Sequence, residues 1–270
     1  MTQIYAFANQ KGGVGKTTTV VNLAAVMADW GLHVLVVDID PQSNATTSLG
    51  VKPGSHECSM YDVLLDSYAV EEAVVSTPWE GLDLLPSSPA LAGATVELNN
   101  LADPRERARA LRCAIQDIRG YDYILVDSPP SLGILTVNSL CAADGVVVPV
   151  QCEYLALEGL SQLMHTIRLI QRGLNPSLVM RGVVMTMYDK RTNLAKEVVA
   201  EVQRYFPKQV FRVLIPRSVR LSEAPSYGEP GVLYSPNSQG SLAYRALTWD
   251  LLGEDGHAID WTPPQKVLED

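Results

Sequence analysis

The stretch "NQKGGVGKTTT", residues 9–19, constrains the fold more than any other part of the sequence. An apolar run of strand length precedes it and a helix-period pattern follows it. Closely spaced glycines let backbone N–H groups converge on phosphate oxygens, and the helix adds its positive amino-terminal end. A strand, a glycine-rich turn and a helix in this order therefore predict a phosphate-binding loop in an α/β protein.

The loop departs from the usual pattern G-x-x-x-x-G-K-[ST], because Gln10 stands where the first glycine is expected and a second lysine, Lys11, lies inside the loop. Lys16 is predicted to reach the β- and γ-phosphates, and the Thr17 hydroxyl to coordinate Mg²⁺. The loop residues predicted to bind the nucleotide are Lys11, Gly12, Gly13, Val14, Gly15, Lys16, Thr17 and Thr18.

Apolar runs alternate with helix-period stretches along the whole chain, and most of these runs are continuously hydrophobic. This pattern is typical of a parallel sheet buried on both faces, so we expect a doubly wound, mostly parallel α/β sheet flanked by helices. The predicted strands are 3–9, 33–40, 81–86, 121–129, 145–151, 181–188 and 209–216. The predicted helices are 17–30, 103–119, 132–142, 155–172, 193–206 and 239–252, with a short one at Met60–Leu65.

Without a low-complexity linker, residues 1–253 are predicted to form one domain, followed by an acidic, flexible tail at 254–270. No apolar run approaches the roughly 20 residues that span a bilayer, and no signal peptide is recognisable, so we expect a cytoplasmic protein. The four cysteines, Cys58, Cys113, Cys141 and Cys152, form no C-x-x-C pair and are expected to be reduced and mostly buried.

Carboxylates follow two further apolar runs. Asp127 ends "YILVD" and is predicted to hold Mg²⁺ near Thr17. Asp38 and Asp40, in "VLVVDIDPQ", are two residues apart and point to the same side of a strand. One of them is predicted to orient the attacking water; the alternative is a polar strand end capped by Pro41.

The segments "KGGVGKTT", "DIDPQ", "ILVDSPP" and "IPRSVRLSEAPSYG" together resemble the ParA/Soj family of chromosome- and plasmid-partition ATPases, the deviant Walker A group that also includes MinD. The resemblance covers roughly residues 1–250, in order. It implies an ATPase that uses ATP and Mg²⁺ and forms an ATP-dependent homodimer in which the nucleotides are sandwiched between the subunits.

The resemblance also implies roles for individual residues. Lys11 is expected to cross the dimer interface to the phosphates of the other subunit, and Gly12 to be small because the partner's loop packs against it. Asp40 is expected to activate water, with Asp38 supporting the metal shell. The residues expected to border the adenine are Pro216 and Arg217.

Charge is distributed unevenly. The net charge of −9 argues against general affinity for nucleic acid, yet residues 165–220 hold eleven of the 21 Lys/Arg and only three of the 30 Asp/Glu. Arg191 and Arg220 are similar in position to the family's DNA-binding arginines, and Lys190, Lys196 and Arg217 are neighbours. We therefore expect the ATP-bound dimer to bind double-stranded DNA without sequence preference.

The resemblance further implies a ParB/Spo0J-type centromere-binding partner that stimulates hydrolysis, and a nucleoid-associated location. Because the loop begins so near residue 1, no amino-terminal operator-binding domain is expected.

Three alternatives share the same nucleotide core. A MinD-like positioning ATPase needs a basic amphipathic carboxyl-terminal helix, whereas "HAIDWTPPQKVLED" has two prolines and three acids, so no membrane binding is expected. A reductase resembling the nitrogenase iron protein would need cluster-ligating cysteines, for which Cys141 and Cys152 are the candidates. A small-molecule kinase or synthetase would need an acceptor pocket that the sequence does not identify.

Overall fold

The computed structural model describes residues 2–65, 68–154 and 156–268. Over these residues the chain forms seven strands: β1 (Gln3–Phe7), β2 (Val34–Asp38), β3 (Val75–Ser76), β4 (Leu82–Leu85), β5 (Tyr123–Asp127), β6 (Gly145–Gln151) and β7 (Val179–Thr186). Six of the seven predicted strands are confirmed. The short β3 was not predicted.

Helices connect the strands and follow them. They are α1 (Lys16–Asp29), α2 (Asn44–Ser48), α3 (Met60–Leu64), α4 (Val70–Ala73), α5 (Leu91–Asn100), α6 (Pro104–Ile115), α7 (Ile134–Ala142), α8 (Ala156–Gly173), α9 (Asn193–Tyr205), α10 (Val219–Glu223), α11 (Gly231–Tyr234), α12 (Gln239–Glu254) and α13 (Gln265–Leu268), with a 3-10 helix at Ala224–Tyr227. The predicted helices are confirmed; the start predicted at residue 155 lies outside the described residues.

The strands lie in the order β3-β4-β2-β5-β1-β6-β7, and every neighbouring pair is parallel except β3 with β4. The predicted doubly wound, mostly parallel sheet is confirmed. Phe7 and Asp38 both lie level with Asp127 on the strand between them. The loop after β1 and the carboxylates that end β2 and β5 therefore meet at one edge of the sheet.

Successive strand residues divide between two hydrophobic layers. Ala6 and Leu35 pack on the side covered by α6, α7 and α8, whereas Phe7 and Val34 pack on the side covered by α1 and α12. Both faces of the sheet are thus buried, because side chains alternate across a strand and helices lie on each side. This burial explains why the strands have continuously apolar sequences.

The strand predicted at 209–216 is wrong. This segment runs beside β7 but forms only two isolated parallel bridges, Val183 with Val210 and Tyr188 with Pro216. Phe211 packs its ring directly over Gly182, where an added Cβ would lie 2.4 Å from a ring carbon. Burial alternates along this segment as it does in a strand, but the hydrogen-bond ladder is not continuous.

The segment after α12 returns to the main body of the protein. Trp261 packs against Trp30 at the end of α1, with ring centroids 5.5 Å apart. The last two residues of the predicted tail, 269–270, lie outside the described residues. Among the helices of the described chain, none is long and apolar enough to cross a membrane.

Candidate functional site

The glycine-rich loop is held from both sides by polar side chains. Asn9 donates to the carbonyl of Pro149 (2.7 Å) and accepts from the backbone N–H of Lys11 (3.0 Å). The Thr186 hydroxyl donates to the carbonyl of Val14 (2.8 Å). Gly15 has a φ of 87°, in the left-handed region that favours glycine. The loop is therefore shaped by its own chain, as a phosphate site requires.

Lys16 is buried at the carboxyl-terminal edge of the sheet and does not lie on the surface. Its side chain is buried, and within the described chain its Nζ donates only a long hydrogen bond, 3.4 Å, to the carbonyl of Lys11. Burial lowers the pKa of Lys16, while the neighbouring Asp127 and Asp40 act in the opposite direction. A buried ammonium with so little hydrogen bonding is suited to a phosphate ligand.

Thr17 and Asp127 form a direct pair, with the hydroxyl donating to Oδ2 at 2.6 Å. Asp127 is fully buried, and its Oδ1 has no hydrogen-bond partner among the described residues. Burial, followed by the neighbouring Asp38, raises the pKa of Asp127 well above its usual value. An unpartnered carboxylate oxygen beside a hydroxyl matches the oxygen ligands that Mg²⁺ prefers, so these residues fit the metal.

The two aspartates after β2 have different surroundings. Asp38 Oδ2 accepts from the backbone N–H of Thr46 (2.8 Å) and from its hydroxyl (2.7 Å), so this carboxylate faces α2. Burial raises the pKa of Asp38 to about 6. Asp40 lines the nucleotide pocket, and its Oδ1 accepts from the N–H of Gln42 (3.0 Å). Asp40 therefore lines the pocket, whereas Asp38 does not. The metal-binding role of Asp38 stays a prediction.

The pocket at this edge has a volume of about 370 Å³. Besides the predicted loop residues and Asp40, it is lined by Pro130 and Pro225, which lie in the quoted segments but were given no role. The lining residues outside those segments are Asn44, Thr47, Ser48 and Met187. Met187 has a φ of 51°, which is uncommon for a residue other than glycine and is typical of functional sites.

The predicted adenine neighbours lie close to Met187. Pro216 pairs with Tyr188, and the backbone N–H of Arg217 donates to the Tyr188 carbonyl at 3.1 Å. Both residues therefore lie just beyond the carboxyl end of β7. Their contact with adenine stays a prediction.

The second lysine of the loop has a partner within its own chain. Lys11 Nζ lies 2.9 Å from Glu153 Oε2, and the other Glu153 oxygen accepts from the Gln151 side chain at 2.6 Å. Lys11 and Glu153 are both partly exposed, with 40% and 45% of each side chain accessible. The crossing of Lys11 to another subunit stays a prediction.

The predicted DNA-binding residues lie on the surface near the same edge. Arg191 makes two bonds to Asp189, at 2.9 and 2.8 Å, and these lower the pKa of Asp189 to about 2. Arg220 donates to Glu223 at 3.0 Å. The exposed residues around them are Lys190, Lys196 and Arg217.

Three other basic residues of the segment lie elsewhere. Arg181, near the start of β7, is mostly buried and pairs with Asp255 at 2.8 Å and with Glu254. Together with Lys208 and Arg212 it lines a cavity of about 710 Å³ at the other end of the strand. The basic segment is therefore continuous in sequence but divided between two ends of the sheet.

Cys58, Cys141 and Cys152 are buried, as expected, and Cys113 is exposed. Burial raises the pKa of Cys141 to about 11 and that of Cys152 to about 12. Both thiols lie in the hydrophobic layer covered by α6, α7 and α8.

Sequence reasoning missed several polar residues that shape the site: Asn9, Thr46, Ser87, Glu153 and Thr186. Each is an ordinary residue type in a strand, helix or loop. Their roles depend on contacts between segments far apart in sequence, so no local pattern could have identified them.

Comparisons with known proteins agree with this geometry. The family described as "AAA domain" matches residues 2–180. The chain is 52% identical over 248 residues to the Sporulation initiation inhibitor protein Soj of Bacillus subtilis, covering 92% of this chain and 97% of that protein. It is 50% identical over 247 residues to the Chromosome-partitioning ATPase Soj of Thermus thermophilus, covering 92% and 94%. A solved structure of cobyrinic acid a,c-diamide synthase from Mycobacterium smegmatis with bound ATP analog and magnesium is 38% identical, with a TM-score of 0.82 and coverage of 96% and 98%.

Proposed function

This chain belongs to the ParA/Soj family of chromosome-partitioning ATPases, and from this premise we propose that it couples ATP-driven dimerisation to non-specific DNA binding during chromosome or plasmid segregation. It is an ATPase whose cofactors are ATP and Mg²⁺. The observation that carries the proposal is the group formed by the buried Lys16 and Asp127 with the partly buried Thr17. In the described chain Asp127 Oδ1 has no hydrogen-bond partner, and the Lys16 ammonium has only one long hydrogen bond. A magnesium nucleotide would supply partners for both groups.

Each residue of this group has a distinct task. Lys16 binds the β- and γ-phosphates, and Thr17 and Asp127 hold Mg²⁺, which supplies positive charge to the phosphates when it is bound. Asp40 lines the pocket, and its Oδ1 accepts a hydrogen bond from the backbone N–H of Gln42 in the same loop. The carboxylate is therefore available to orient the attacking water.

Lys11 acts on the neighbouring subunit. Its ion pair with Glu153 is partly exposed, and pairs of this kind contribute only about 0.2–1 kcal/mol, so the lysine can exchange this carboxylate for phosphate. Gly12 supports the same arrangement. An added Cβ there would meet only Pro130 Cβ, at 3.8 Å, so nothing within the described chain requires glycine at this position. A partner's loop packed against it gives a reason.

DNA binding uses the exposed arginines. Arg191 and Arg220 are each held by one acidic neighbour, Asp189 and Glu223, with which DNA phosphate can compete. In a dimer the surface is duplicated, so a patch that binds weakly in one subunit binds more strongly in two. A ParB-type partner then stimulates hydrolysis and releases the complex, in a cytoplasmic, nucleoid-associated cycle.

The test is ATP hydrolysis measured with non-specific duplex DNA and the genetically adjacent ParB-type protein, added separately and together. We expect the largest rate when both are present, and no rate above background in Lys16→Ala. No stimulation by either would overturn the partitioning cycle.

A second candidate, a small-molecule synthase, is favoured by one observation, the 38% identical structure of a diamide synthase. Stimulation of hydrolysis by a carboxylic-acid metabolite together with an amide donor, in place of DNA, would support that candidate instead.

A further inference from the structure

The backbone of Asp40 is held on both sides by buried side chains. Its N–H donates to Asp38 Oδ1 at 3.1 Å, and its carbonyl accepts from the Ser87 hydroxyl at 2.7 Å. Asp40 lies between the end of β2 and the start of α2, where no sheet ladder fixes the chain. The Asp40 carbonyl also accepts from the backbone N–H of Ser43 at 2.8 Å, so the two side-chain bonds add to a local turn and connect Asp40 to Asp38 and to Ser87.

Thr46 closes these bonds into a ring. Its hydroxyl donates to Asp38 Oδ2 at 2.7 Å and accepts from the backbone N–H of Ser87 at 2.9 Å. The ring thus runs from Asp40 through Asp38, Thr46 and Ser87 back to Asp40. All four residues are buried, and Asp40 is the most accessible at 5%.

A hydroxyl is required at the centre of this ring because it donates to the carboxylate and accepts from an N–H at once. Valine has the same shape but neither function. Its introduction would leave the Ser87 N–H and one Asp38 oxygen with fewer partners in a buried site, where unpaired polar groups are costly. The segments after β2 and after β4 would then lose one of the bonds that connect them, while the bond from the Ser87 hydroxyl to the Asp40 carbonyl would remain.

We propose that Thr46 is a positioning residue for ATP hydrolysis, which acts through Asp38 and Ser87 to fix Asp40 against the phosphate pocket. The inference rests on the proposed function of Asp40. Because Asp40 is held through its backbone, its carboxylate keeps its freedom to meet water while its position is set. In this ring Asp38 holds Asp40 and α2 in place through its bonds to the Asp40 N–H and to Thr46.

The experiment compares wild type, Thr46→Val and Thr46→Ser for the kcat and KM of magnesium-ATP hydrolysis and for the affinity of a fluorescent ADP analogue. In Thr46→Val we expect kcat to fall about 10- to 100-fold, since small misplacement of a reacting group has effects of this size. KM and ADP affinity are expected to change by less than about threefold, because Lys16 and the loop are untouched. Thr46→Ser, which keeps the hydroxyl, should recover most of kcat.

Thr248→Val is the matched control. Thr248 is also fully buried, but its hydroxyl bonds the carbonyl of Tyr244 in its own helix, at 2.8 Å, and it is not among the residues that line the nucleotide pocket. Its kcat is expected to equal that of wild type. If Thr46→Val does not fold, Ser87→Ala removes only the bond to the Asp40 carbonyl and should lower kcat in the same direction by a smaller factor.

Three results would overturn the inference: unchanged kcat in Thr46→Val and Ser87→Ala, a parallel loss of kcat and ADP affinity, or failure of Thr46→Ser to recover activity. These results differ from failure of the proposed function, in which the wild-type protein itself would not hydrolyse ATP. A wild type that hydrolyses ATP beside an equally active Thr46→Val would overturn the positioning role alone.

Discussion

The nucleotide pocket and the basic surface beside it differ in how they are built. Lys16, Asp40 and Asp127 are at most 6% exposed and are surrounded by fixed partners from several strands. Arg191 and Arg220 have 85% and 60% of their side chains exposed, and each is paired with an acidic residue on the same short segment. The pocket depends on the fold for its geometry, whereas the surface depends on charge alone.

The two regions touch through their backbones. Gly50 follows α2, and Gly228 follows the 3-10 helix after Arg220. A Cβ on Gly228 would lie 2.9 Å from the Gly50 Cα, so the two segments approach as closely as glycine allows. We expect substitutions in the pocket to affect nucleotide binding and hydrolysis, and substitutions on the basic surface to affect DNA binding. Substitutions at Gly50 and Gly228 are the exception, because the two segments meet there.

The largest effect is expected from Lys16→Ala. Because Lys16 is a buried ammonium in the pocket, its loss removes charge-assisted bonds to phosphate and should weaken ATP binding by over about a hundredfold. Equilibrium binding of a fluorescent ATP analogue measures this. DNA binding in the absence of nucleotide should equal that of wild type, and ATP affinity within a few fold of wild type would contradict the role given to the pocket.

Lys11→Ala should separate binding from hydrolysis. We expect kcat to fall by about a hundredfold, since removal of one donor from developing charge has this effect, while the monomer's ATP affinity is retained. Weaker ATP-dependent dimerisation should accompany it in analytical ultracentrifugation. The control is Glu153→Gln, which frees Lys11 and should keep hydrolysis. Full activity in Lys11→Ala would exclude a role for this lysine across the interface.

On the basic surface, Arg220→Glu should weaken affinity for non-specific duplex DNA by about tenfold, because it removes one cation that faces a phosphate group. For the same reason the slope of the logarithm of the binding constant against the logarithm of salt concentration should decrease in magnitude by about one for each such arginine replaced. Lys208→Glu is the matched control, since Lys208 belongs to the same basic segment but lies at the other end of the sheet. Fluorescence anisotropy at several salt concentrations measures both variants. Equal weakening in the two would show that overall charge, and not this surface, binds DNA.

The smallest effect concerns the place where the two regions meet. Gly228→Ala combines a φ of 67° with overlap against Gly50, and should lower the free energy of unfolding by about 2–3 kcal/mol. Gly120→Ala has a comparable φ of 92° but open space around the new methyl group, and should cost about 1–2 kcal/mol. Urea denaturation compares them. Equal destabilisation would mean that the segments can separate without cost.

The features that could be predicted from the sequence are those with a local pattern, and the features that could not are contacts between distant segments. Lys16, Thr17 and Asp127 belong to local patterns at the ends of apolar runs, and the parallel sheet brings them together as expected. The ring through Thr46 and Ser87 joins residues 41 positions apart and has no local signal. The strand predicted at 209–216 is wrong because an apolar run of strand length does not show whether the hydrogen-bond ladder is continuous. The division of the basic segment follows from α9 reversing the chain direction after β7.

Control of DNA binding by the nucleotide is tested most directly by measuring the affinity of the wild-type protein for a non-specific duplex. The three conditions are Mg²⁺ with ATP, Mg²⁺ with ADP, and no nucleotide. We expect binding at least about tenfold tighter with ATP than in the other two states, which is within the usual range of coupling between two sites. Equal affinity in all three states would show that the nucleotide does not control DNA binding.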